Sequence, residues 1–262
     1  MTPFRRLAVS EVSIRGERAF AGIAPYARLK GMLVRDKFAF RLPGTADPDR
    51  VLFLNLTFWN AAESSDLLAD DTVDADVLAH AAWHHAARRA LDGPLPPTAA
   101  ALFLGESIAS AFDLYVIGTM LATGRSNAYL RGQVPAISAA ARCAGLSEVE
   151  LAALFGAVAA EPDRAFEDLR QLLFDASCAL VRCADIDAAA GVLAGFAGHR
   201  FIALLHHFAL SSWVLYARAY AGPAVEDDAA VAVDVALRAS PAALTWLSDN
   251  WLSPGVGPAA DA

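Results

Sequence analysis

Residues 75–122 read ADVLAHAAWHHAARRALDGPLPPTAAALFLGESIASAFDLYVIGTMLA, and the fold turns on how this stretch divides. Two long arms rich in alanine and leucine favour helix. Between them, Asp92-Gly93-Pro94 ends the first arm and PLPP (94–97) makes a rigid connection. Thr72 or Asp74 can cap the first helix, over about 75–91. Thr98 can cap the second, which runs to about 122 and stops near Gly124. A short turn between two such helices sets them antiparallel, face to face.

Working outward, the helical pattern continues. Ser126 to Pro135 reads as a loop, followed by helices at about 136–144, 147–160 and 162–183. Ser147 with Glu150 forms a capping box, and Pro162 suits a first helical turn. An apolar helix near 186–221 comes next, then the polar break GPAVEDD and a last helix or two. The first 60 residues differ. LAVSEVSI (7–14), KGMLVRDKFAFRL (30–42) and RVLFLNLTFW (50–59) are rich in β-branched and aromatic residues, with clear alternation in the last. These predict a small antiparallel sheet. The expectation is one α+β domain over 1–262, predominantly α-helical, with a β-rich part at 1–60 and a helical part at 73–250.

Composition narrows the function. The chain is 56% hydrophobic with 19% charged residues, yet much of that is alanine, which does not commit a segment to lipid. Its formal net charge of −8 excludes a nucleic-acid surface, which needs clustered Lys and Arg. The longest charge-free run in 191–222, Phe201 to Ala217, falls short of a bilayer span and fits a buried helix. The N-terminus lacks the apolar core of a signal peptide, and the three cysteines read as buried free thiols. A cytoplasmic protein is expected, binding neither nucleic acid nor membrane.

Three of the six histidines, His80, His84 and His85, stand within the first arm. His80 and His84 are four apart, so their side chains leave one helical face and can reach a single ion. Glu106 on the facing helix can supply a carboxylate. Asp113, two turns further along, can orient a liganding imidazole. Two imidazoles and a carboxylate suit a catalytic divalent metal, Zn²⁺, with Fe²⁺ as the alternative.

At these residues the chain resembles the gluzincin group of zinc metallopeptidases, whose H-E-x-x-H helix precedes a glutamate on a later helix. His80-Ala81-Ala82-Trp83-His84 and Glu106-Ser107-Ile108-Ala109 take those places, and the resemblance spans residues 50–115. It implies His80, His84 and Glu106 as zinc ligands and hydrolysis of a small-molecule or peptide-like substrate. The departure lies at Ala81, where that family carries the glutamate that takes a proton from water.

Candidates to replace the base are Asp113, His85 and a histidine of the later apolar segment: His207, or His199 and His206, which share a face seven residues apart. Tyr115 and Tyr216 are candidate proton donors. Two other functions fit the same residues. A non-haem iron oxygenase or oxidase would use the triad without a base at 81. A non-catalytic pseudoenzyme or interaction protein would keep the histidines as core groups and pair Glu106 with Arg88 or Arg89.

Overall fold

The structure is a computed structural model that describes residues 4–43, 67–91, 96–124, 126–224 and 228–253. The alternating segment 50–59, the helix stop at 92–94 and most of the acidic loop at 226–228 lie outside the described residues. The fold is α+β and mostly helical. Near the N-terminus, β1 (Arg5–Ala8) pairs antiparallel with β3 (Ala39–Leu42), in the register Arg5 to Leu42 and Ala8 to Ala39. A second two-stranded sheet is parallel, β2 (Ser13–Arg15) against β4 (Thr72–Asp74).

Only the end of segment 30–42, Ala39–Leu42, is strand. Helix α2 (Tyr26–Arg35) takes its first six residues, following α1 (Glu17–Phe20). Leu29, Met32 and Leu33 fall at helical spacing and are fully buried, so helical packing overrides local β-propensity.

The two arms form helices α3 (Ala75–Leu91) and α4 (Ala99–Ala122). Thr98 caps α4, its hydroxyl accepting from the Ala101 N–H at 3.1 Å. Thr72 and Asp74 lie in β4, where the Arg15 guanidinium grips both Asp74 carboxylate oxygens at 2.9 Å.

Helix α4 is the axis of the molecule. It is apolar on all sides, and 17 of its 24 residues are buried, the pattern of a helix enclosed by others. Around it pack α3, α5 (Ala128–Cys143), α6 (Glu148–Ala160), α7 (Pro162–Leu180), α9 (Leu210–Tyr220) and α10 (Ala229–Ala239). By length and composition it alone among the described helices passes for a membrane span, yet 78% of its most apolar window is buried inside the protein. Two glycines set its neighbours' approach. A Cβ at Gly118 would stand 2.6 Å from the Val158 carbonyl oxygen of α6, and one at Gly105 would touch Ala87 of α3 at 3.3 Å.

Two helical expectations need correction. Ser126–Pro135 is no loop: α5 starts at Ala128, capped by the Asn127 side chain, which accepts from Leu130 N–H at 2.9 Å, and it carries Pro135 in its interior. The stretch 186–221 is not one helix. It divides into α8 (Ile186–Gly195), a 3₁₀ turn (Ile202–Leu204) and α9. Gly195 and Gly198 fall at the first break, and Ala209, in the left-handed region with φ 52°, makes the second. Helix α11 (Ala243–Trp251) ends the described chain. One buried cluster joins Phe20, Leu33 and Phe40 of the N-terminal part to Trp83, Phe112 and Phe166 of the helices. The three cysteines are free, but Cys143 is exposed and the other two only part-buried.

Candidate metal centre

The close packing of α3 on α4 brings the sequence candidates together. His84 Nε2 lies 3.1 Å from Glu106 Oε1, and the His80 and His84 rings are 4.9 Å apart. One ligand atom from each of His80, His84 and Glu106 can be chosen so that all lie within 4.8 Å of one another. Around a tetrahedral ion with bonds of about 2.1 Å, neighbouring ligand atoms sit about 3.4 Å apart. The His84–Glu106 pair, at 3.1 Å, is near that spacing.

Asp113 Oδ2 lies 3.2 Å from His80 Nδ1. A neutral His80 donating Nδ1–H there carries its lone pair on Nε2, the arrangement a liganding imidazole needs. The Asp113 backbone carbonyl accepts from the Tyr129 hydroxyl at 3.2 Å. Burial, with Asp113 adding to it, holds that phenol well above its ordinary range.

Burial also dominates at His84, whose pKa is lowered to about 3, with the neighbouring His80 and Arg88 pushing the same way. His84 therefore stands beside Glu106 as a neutral imidazole rather than as half of an imidazolium ion pair. That state suits metal binding, since a protonated ring has no lone pair to offer.

While His84 lines a separate crevice with Gly105 and Arg88, His80 and Glu106 of the triad line a cavity of about 270 Å³, whose wall also includes Ser110, Asp113, Gln133, His207, Phe208 and Trp213. His207 reaches it from the turn before Ala209, and burial lowers its pKa against the opposing pull of Asp113. A second opening, of about 180 Å³, is lined by Asp76, Val77, His80, Ala81 and Asp113. Asp76 stands one turn before His80, and burial and then the Asp113 charge raise its pKa. The spacing Asp76–His80–His84, four and four, could have signalled it.

The other candidates lie elsewhere. His85 Nε2 is 2.9 Å from Asp36, its ring edge-on to Phe38, and Arg89 shares the same carboxylate. His199 accepts the Phe201 N–H at 3.2 Å and His206 is exposed, the two separated by the 3₁₀ turn. Tyr115 stacks on Phe112 and Tyr216 packs on Tyr220. Trp213, Gln133 and Ser110 were not singled out as site residues by sequence, because no spacing pattern relates α9 and α5 to α3. No protein-family model, curated protein or solved structure matches the chain, so the reading of this centre rests on its own geometry.

Proposed function

We propose that this protein is a metal-dependent enzyme in which His80, His84 and Glu106 hold a divalent cation, Zn²⁺, and that its chemistry is hydrolytic. The observation that carries the reading is the convergence of three ligand atoms within 4.8 Å beside an open cavity. The Asp113 carboxylate on His80 Nδ1 supports it, since a liganding imidazole needs such a partner on its far nitrogen. A zinc ion there supplies Lewis-acid polarisation of a carbonyl or related group.

The chain's own residues divide the remaining work. Asp113 fixes the His80 tautomer. His207, kept neutral by burial, faces the cavity and takes a proton in place of the glutamate that Ala81 does not provide. Ser110 lines the same wall. The resemblance to gluzincins agrees with these ligands.

Metal analysis of protein purified without added metal tests this, on wild type, His84→Ala and Glu106→Gln. About one zinc per chain, lost in both variants, is the expected result. Iron in place of zinc would replace hydrolysis with oxygenase or oxidase chemistry. No metal in any of the three proteins would leave a helical protein with structural histidines.

A further inference from the structure

The cavity beside the triad has a wall of unusual charge. Its apolar side is built from Leu114 and Ile117 of α4, Ile137 of α5, and Phe208 and Trp213 from around the start of α9. Its charged side is acidic, Glu106 and Asp113, and among the described residues no lysine or arginine lines it. Arg88, whose charge reaches His84, stands outside this wall, in a separate crevice with His84, Gly105 and Leu102.

Two carboxylates offset a bound divalent ion, so an anionic substrate would gain no net attraction here. Its second charge would face carboxylates in a partly desolvated space, where repulsion is strong. Sites that take phosphates or substrate carboxylates supply arginine, lysine or a helix N-terminus as the counter-charge. The wall instead carries two aromatic side chains, Trp213 and Phe208, whose apolar rings favour contact with an apolar or ring-shaped group. The volume, about 270 Å³, lies just below the usual range of small-molecule sites and is small for a polymer.

From this wall we infer the substrate class: a small molecule carrying no phosphate or carboxylate, with an apolar, ring-sized arm that lies against Trp213 and Phe208 while its polar end faces the triad. This rests on the metal-dependent reading above and narrows its substrate from small or peptide-like to small, apolar and non-anionic. Trp213 is the residue that selects the arm, and Gln133, an uncharged polar side chain of the wall, is the position where one charge would alter the selection.

The test uses three hydroxamates that share one metal-binding head. Zinc-loaded full-length protein, its zinc content measured first, is titrated calorimetrically with 4-methylbenzohydroxamate, 4-carboxybenzohydroxamate and acetohydroxamate. The methyl compound is expected to bind about tenfold tighter than acetohydroxamate, from burial of its ring. It should also bind about tenfold tighter than the carboxy compound, from charge. Gln133→Lys should narrow the second gap, and Trp213→Ala the first. The wild-type comparison needs no variant, so misfolding of Trp213→Ala cannot shield the idea. Zinc-loaded protein that binds the carboxy compound as tightly as the methyl compound overturns the substrate class and leaves the metal centre standing. Protein that takes up no zinc overturns both.

Discussion

His80 Nδ1 stands 3.2 Å from Asp113 Oδ2, a contact between α3 and α4 that spans 33 residues of sequence. In a neutral His80 this contact makes Nδ1 the donor and leaves the lone pair on Nε2, so the fold selects the tautomer that a metal needs.

Asp113→Asn keeps an oxygen acceptor but removes the charge that makes the imidazole a stronger ligand. The variant should hold zinc about 10- to 100-fold more weakly at unchanged stoichiometry. Competition against a chromogenic chelator measures this. Wild-type affinity in the variant would reduce Asp113 to a packing role.

The stability of the metal-free protein should depend on pH through His84. An unfolded imidazole takes up its proton near pH 6.5, whereas burial withholds the proton from folded His84 until about pH 3. Between those values the unfolded state binds more protons, so stability falls as pH falls from 6.5 toward 3. His84→Gln removes that contribution and should make the slope shallower. It should not become flat, because burial also lowers His85, His199 and His207. Urea denaturation at pH 7 and pH 4.5 gives both slopes, and identical slopes would count against a buried neutral His84.

Away from the site, Arg170 is fully buried on α7. Glu167 holds it through two bonds of 2.7 Å, and Asp234 of α10 through one of 2.8 Å. Arg238 binds the other Asp234 oxygen and reaches Asp175. Arg170→Ala strips a buried carboxylate cluster of its central cation and should cost about 3–5 kcal/mol. A change below 1 kcal/mol in chemical denaturation would show that Arg238 alone satisfies the cluster.

Much of this was legible in the sequence where local signals sufficed. Helices α3 and α4 fall where alanine-rich periodicity and the Thr98 cap put them. Ser147 and Glu150 form their capping box, each bonding the other's backbone. The metal candidates were legible because four-residue spacing on one helix and a carboxylate on the next survive as spatial neighbours. What was illegible depends on long-range packing or on one backbone angle. Pro135 suggested a loop, yet the Asn127 cap starts a helix through it. Ala209 gives no hint in sequence of its left-handed φ, but that angle breaks the apolar segment and carries His207 to the cavity. Arg170 and Asp234 lie 64 residues apart, beyond any periodic pattern.

Ala81 has a physical context that bears on a direct experiment. The residue is 4% exposed and lines an opening with Asp76, His80 and Asp113. Ala81→Glu would place a carboxylate one residue after His80, but it would be a third beside two that already repel, since the Asp113 charge raises the Asp76 pKa. A carboxyl group whose folded pKa is raised stabilises below its unfolded value and loses that stability as pH rises through the folded one. The metal-free Ala81→Glu protein should therefore melt lower than wild type at pH 7 and recover toward pH 4. Asp76→Asn should restore part of the loss at pH 7, because it removes the repulsion and not the added side chain. Thermal melts of wild type, Ala81→Glu and the double variant at both pH values decide it. A deficit unaffected by pH or by Asp76→Asn would assign the cost to crowding in the opening, and alanine would then stand at 81 for its size rather than its charge.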